Sequence, residues 1–219
     1  MSTKYKTLLL QFVAVAYSCF MSVSAFSQAN LPDDSRAPRS PAIAKCFPDG
    51  IFDQSDASRD GFIANGLTDY LHAISEPCLL DPAKHGAISY RLIWGGMPSA
   101  RRVVVRLEVG EDGKAVLFTK VTAGRRLVSD RVESISSTQV EEFLDLVKLS
   151  DFWSLPSSEN RPPVKDGTSW ILEGIRDGAY HGVYRRNPKP SLYTEVGRCL
   201  GKNLAKLDDS TLFVPQYAH

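Results

Sequence analysis

The sequence predicts a single α+β domain: an antiparallel sheet of five to seven strands with about three helices packed on one face. Three observations predict it. Residues 101–109 and 114–121 are rich in β-branched residues at alternating positions and are joined at Glu111-Asp112-Gly113, the composition of a tight hairpin loop. Thr138 to Leu149 places Val140, Phe143, Leu144 and Val147 at helical spacing. Finally, Asp166 to Pro188 reads as a second hairpin, dense in aromatic residues.

From the N-terminus, Met1 to Ala29 has the form of a secretory signal. Lys4 and Lys6 precede a mostly apolar run, Thr7 to Ser18, and small residues stand before two candidate cut points, after Ala25 and after Ala29. The weaker alternative is lipid attachment at Cys19, which Tyr17 fits poorly. Losing Lys4 and Lys6 with the leader takes the formal charge from +1 to −1, so charge offers no case for nucleic acid or an anionic membrane as partner. No later stretch is apolar enough to cross a membrane. Residues 30–48, with Pro32, Pro38, Pro41 and Pro48, read as an extended arm before a domain at 49–210, and 211–219 as a tail.

Three cysteines follow the leader: Cys46, Cys78 and Cys199. Cys46 and Cys78 flank the first helix in proline-containing, loop-like sequence, so they are the expected disulfide. Cys199 falls on the apolar face of the last helix and reads as a buried hydrophobe. With no CxxC and no paired histidines, a zinc site of the usual spacing is not expected, and neither a metal nor a cofactor is assigned. His72 lies on the polar side of the first helix and reads as a solvated histidine.

That helix is expected over Gly61 to Ser75 with Asp60 as its cap. Strands follow over 88–94, 101–109, 114–121 and 126–135. Arg101, Arg102, Arg106, Arg125, Arg126 and Arg131, interleaved with acids, read as a solvated sheet surface. Thr138 with Glu141 has the spacing of a capping box for the second helix. Phe152-Trp153-Ser154-Leu155-Pro156 closes that helix, and residues 157–167 deliver the chain to the second hairpin as a charged rim. Ser191 caps a last helix with Leu192, Val196, Cys199, Leu200, Leu204 and Leu207 on one face.

In the second hairpin, a three-residue loop Arg176-Asp177-Gly178 sets Glu173 opposite His181 on a largely apolar face. A two-residue turn sets Glu173 opposite Gly182 instead. The first register makes Glu173 and His181 a candidate acid/base pair, because a carboxylate orients an imidazole and raises its pKa. Asp166 and Arg185 are candidates to assist that pair, Asp166 as a second carboxylate. The same register puts Trp170, Tyr180 and Tyr184 together on the other face, as core if a helix covers them or as a platform for a glycan or peptide if none does.

The segments Tyr90-Arg91, Val105-Arg106-Leu107, Asp112-Gly113, Phe152-Trp153-Ser154-Leu155-Pro156, Asp166-Gly167, Trp170, Glu173-Gly174 and Tyr180-His181, with Arg185 and Pro188, resemble the pattern of an uncharacterised family of exported bacterial proteins. The chain departs from that pattern at Gly96-Met97-Pro98-Ser99-Ala100. The resemblance implies an exported domain and no particular chemistry. Without a nucleophile elbow, a phosphate loop or HExxH, the leading expectation is a non-enzymatic periplasmic or secreted domain that binds an envelope or secreted protein, an inhibitor or immunity protein being one version. The alternative is a hydrolase or lyase working through Glu173 and His181.

Overall fold

A computed structural model of the chain describes residues 45–81, 86–97, 101–159 and 167–208. Residues 1–44, Asp166 and residues 209–219, which hold the expected leader, most of the expected arm and the expected tail, lie outside the described residues. Six strands form one antiparallel open sheet: β1 (Ile88–Met97), β2 (Arg101–Val109), β3 (Ala115–Ala123), β4 (Arg126–Ile135), β5 (Gly167–Arg176) and β6 (Ala179–Arg186). The spatial order is β4-β3-β2-β1-β5-β6. Three helices accompany the sheet: α1 (Ala57–Ala73), α2 (Ser137–Leu149) and α3 (Leu192–Arg198), the last continuing as a wider π turn over Cys199–Leu204. The fold is therefore α+β, as the sequence predicts.

The first four strands form an up-and-down meander, and α2 with the short 3-10 turn Phe152–Ser154 returns the chain to β1, beside which the β5–β6 hairpin is added. Strand alternation then assigns the faces. On one face Tyr90, Leu92, Trp94, Val103, Val105, Leu107 and Leu172 form a continuous core with Val140, Phe143 and Val147 of α2 and Val196, Leu200 and Leu204 after them. On the other face Ile93, Val104 and Ile171 pack with Cys46, Phe47, Ile51, Phe52, Tyr70, Leu71 and Ile74. Two of the three helices thus share a face, while α1 lies on the opposite one. The correction has a plain cause. The second face looks solvated in sequence because its apolar positions alternate with Arg91, Arg106, Lys120 and Glu173, all of which are buried.

Cys46 and Phe47 are likewise buried, so the core begins before residue 49. Cys46 and Cys78 form a disulfide across a separation of 32 residues, and Cys199 is a buried free thiol whose pKa burial raises. The helix caps sit slightly earlier than the sequence suggests. Asp56, not Asp60, caps α1 by accepting from Arg59 N–H at 3.0 Å. At α2 it is Ser136 and Gln139 that form the reciprocal capping box. Ser191 caps α3 as expected.

The two hairpin loops, similar in composition, close differently. At Gly110–Lys114 the Gly113 N–H donates to Gly110 O and the Gly110 N–H to Lys114 O, with Gly113 at φ 76°, which is the expected three-residue loop. At the second hairpin Asp177 (φ 53°) and Gly178 (φ 73°) both take the left-handed region. That is the two-residue type I′ turn, whose twist matches the flanking strands and for which Asp-Gly is a preferred pair. Arg176 therefore pairs with Ala179, and every residue of β6 shifts by one relative to the three-residue register.

Candidate functional site

The one-residue shift redistributes the candidate site. Glu173 stands opposite Gly182, and His181 opposite Gly174, so Glu173 and His181 project to opposite faces of the sheet and do not form a pair. Trp170 likewise separates from Tyr180 and Tyr184. It faces the core beneath α3, where its carbonyl accepts from Tyr193 Oη at 3.1 Å, whereas Tyr180 and Tyr184 face the α1 side.

Glu173 is fully buried and fully engaged. Arg91 donates to it from Nε at 2.7 Å and from Nη2 at 3.0 Å, a two-point grip, and Tyr180 Oη donates to the same carboxylate at 3.0 Å. Burial is the largest influence on Arg91 and opposes its charge, but Glu173, Glu76 and Tyr180 together outweigh it and hold the guanidinium pKa above its ordinary value. Burial, reinforced by Glu173, pushes the Tyr180 phenol well above the usual range. Beside this pair, Glu76 accepts from Arg106 Nε at 2.7 Å and lies 3.7 Å from both Arg91 and Lys120. Lys120 Nζ also donates to the carbonyls of Ile74 and Ser75 at 2.9 Å each, which fastens the C-terminal end of α1 to the sheet. Arg106, expected on a solvated surface, therefore belongs to a buried ion cluster, in which desolvation lowers its pKa.

His181 sits on the other face at the sheet edge. Its ring meets Phe152 at 5.0 Å and Trp153 at 6.1 Å between centroids. Burial lowers its pKa, against hydrogen bonding to the backbone of Leu155 and Phe152, which raises it. The Nε2 atom is enclosed without a hydrogen-bond partner. Arg185, on the same face, donates to the carbonyls of Pro156, Ser157 and Tyr184 and pairs with Glu159 at 3.3 Å. It clamps the segment after α2 onto β6 and is itself buried.

An open feature lies at the β6 edge. A cleft of about 400 Å³ lies between β6 and the loop before α1, lined by Asp49, Ile51, Gln54, Ser157, Tyr180 and Gly182 among others. Buried Asp60, one turn into α1, builds the far wall by accepting from the backbone N–H groups of Gly50, Phe52 and Asp53 at 2.7, 2.8 and 3.1 Å. Gly182 lets the loop approach closely here: a Cβ on it would meet Ile51 Cδ1 at 2.3 Å and would have to displace that side chain.

The hydrogen-bond parity of the hairpin identifies what the edge offers. Asn187 N–H bonds Thr168 O, so alternate pairs from Trp170–Arg185 onward exchange ladder bonds, and the main-chain groups of Tyr180, Gly182 and Tyr184 point away from β5. Those of Tyr184 are taken: its N–H donates to Ser157 O at 2.6 Å and its carbonyl accepts from Arg185. Those of Tyr180, which is half-buried, and of Gly182, which is buried beside Ile51, point to the cleft side.

Sequence reasoning places Tyr180 at a site but gives no sign of Asp49 or Gln54. The only signal for Asp60 is an acid at a helix start, which reads as a cap. The chain matches no family model, and no curated protein matches it. Among the described residues no helix is long and apolar enough to cross a membrane.

Proposed function

We propose that the protein is an exported interaction domain that takes an extended segment of a partner protein along the β6 edge. One observation carries the reading: β6 turns the N–H and C=O groups of Tyr180 and Gly182 away from the sheet, beside a preformed cleft. Outward main-chain groups of this kind pair with an added strand, with side pockets supplying selectivity. The chain uses the same mode on itself one step further on, where Ser157 O pairs with Tyr184 N–H. Export rests on the leader-like sequence of Met1 to Ala29 and is in keeping with a disulfide-bonded domain. The resemblance to exported bacterial proteins points the same way.

The hydrolase or lyase reading loses its main support, because Glu173 is bound to Arg91 and His181 lies across the sheet from it. The test of the binding reading uses a displayed random-peptide library selected against the purified chain. Selected peptides should slow amide exchange at Tyr180 and Gly182, and Gln54→Trp, which fills the cleft, should weaken them by about tenfold, roughly 1.4 kcal/mol. Peptides that protect other amides, or that bind Gln54→Trp equally, overturn the assignment. A dimer in sedimentation that buries the same amides replaces the partner segment by a second copy of the chain.

A further inference from the structure

At the C-terminal end of α1 the fold gathers three potential ligands that the β6 cleft does not use. His72 Nε2 lies 3.9 Å from Cys46 Sγ and 3.8 Å from Cys78 Sγ. All three ligand atoms fall within 4.8 Å of one another. A cation held tetrahedrally by two thiolates at about 2.3 Å and an imidazole at about 2.0–2.1 Å requires S···N edges of about 3.6 Å and an S···S edge of about 3.8 Å. Both S···N edges are thus already close to the required length. Only the S···S edge has to open, and that is what reduction of a disulfide permits.

We propose that reduction of the Cys46–Cys78 disulfide converts this corner into a binding site for one thiophilic cation, zinc or a similar borderline-soft divalent ion, ligated by Cys46, Cys78 and His72. The donor set suits such an ion, since thiolate and imidazole together select zinc-like metals over oxygen-seeking ones. Three protein ligands leave a fourth position, and the exposed side of His72 gives it to solvent. Neither cysteine lies in a helix or strand, so their sulfurs separate without breaking a regular element. The frame around them is firm: Cys46 N–H donates to Thr68 Oγ1 at 3.3 Å, and Phe47, Leu71 and Leu79 are fully buried beside it.

The step balances with an external dithiol as reductant. The S–S bond accepts two electrons and two protons and becomes two thiols, while the dithiol leaves as its own disulfide. Each thiol then loses its proton to water as its sulfur bonds the cation, so uptake releases two protons and strengthens as pH rises. In an oxidising compartment the disulfide persists and the site stays closed; under reducing conditions it opens.

The test is a cobalt(II) titration of the chain after phosphine reduction and removal of the reductant, with cobalt standing in for zinc because its thiolate charge-transfer and visible bands report ligand type and geometry. Reduced wild type should bind one equivalent with bands of a tetrahedral thiolate site that zinc displaces, and the oxidised chain should show none. His72→Gln should weaken binding by at least about tenfold, since loss of an outer-shell partner alone costs about 10–100-fold. A melting curve of oxidised His72→Gln, expected to match wild type, checks that the variant is folded. Absence of bands in the reduced wild type overturns the proposal, as does equal affinity in His72→Gln. If reduction unfolds the chain, zinc must restore the native circular dichroism of wild type and fail to restore that of His72→Gln; failure to restore wild type also overturns it.

Discussion

The two faces of the sheet bury their residues by different means. Under α2 and α3 the contacts are mainly apolar, with Tyr90, Phe143 and Phe152 meeting edge to face at 5.2 and 5.9 Å. Under α1 an apolar patch is joined to Arg91, Arg106, Lys120, Glu76 and Glu173, all of them buried. The first face is held by area removed from water. The second is held by directed bonds, including three that reach α1 or its exit: the Lys120 pair to Ile74 and Ser75, Arg91 Nη1 to Pro77 O at 2.5 Å, and the disulfide. An apolar contact loses stability in proportion to the atoms removed, whereas a directed one fails when a single partner goes.

The largest expected effect tests that contrast. Arg91→Met leaves Glu173 buried without its cation and should cost about 3–5 kcal/mol in urea unfolding. Phe143→Ala on the other face should cost a similar amount, about 3–5 kcal/mol, through lost packing and a cavity. The faces differ in what a second change does. Arg91→Met combined with Glu173→Leu should recover most of the loss, because a buried pair replaced by apolar residues of similar size is often neutral or better. Additive costs in that cycle would mean that the ion cluster contributes more than mutual neutralisation.

The disulfide comes next. Replacing Cys46 and Cys78 with alanine should cost about 2–4 kcal/mol, with the loss concentrated in faster amide exchange across α1 while β1, β2 and α2 stay protected. Uniform loosening of both faces would show that α1 is not attached separately and would erase the distinction between them.

This contrast explains what was legible in the sequence. Residues 101–109 and 126–135 are strands over the very bounds that their pattern suggests, because a meander strand declares itself through local alternation and turn residues. The disulfide partners were legible as well, since both cysteines sit in loops flanking one helix. The ion cluster was not. Arg91 and Glu173 are 82 residues apart, and Arg106 and Glu76 are 30 apart, so nothing local distinguishes them from charges on a wet surface. Their burial follows from α1 landing on that face, and only the strand order β1-β5 sets Arg91 opposite Glu173. The candidate site failed at a single turn. Reading Arg176 into the loop shifted β6 by one, and a period of two converts one residue into a change of face. His72 is exposed, as the sequence suggests; its nearness to Cys46 and Cys78 was not legible, because they lie 26 and 6 residues away, outside any helical repeat.

The smallest effect concerns His181, whose imidazole the apolar face encloses at its edge. An imidazole in the unfolded chain titrates near 6.5. In the fold, burial against Phe152 and Trp153 lowers that value, so between the two values the unfolded chain binds more protons and stability rises with pH. The contribution is complete above about pH 6.5 and is lost as pH falls through the lower folded value. Melting temperatures from pH 7.5 down to 5 should therefore fall more for wild type than for His181→Gln. The ring proton of His181, followed by NMR, should titrate below 6.5. A midpoint at or above 6.5 would mean that the ring is solvated in the native state, and that the apolar face ends at Phe152 and Trp153 rather than at β6.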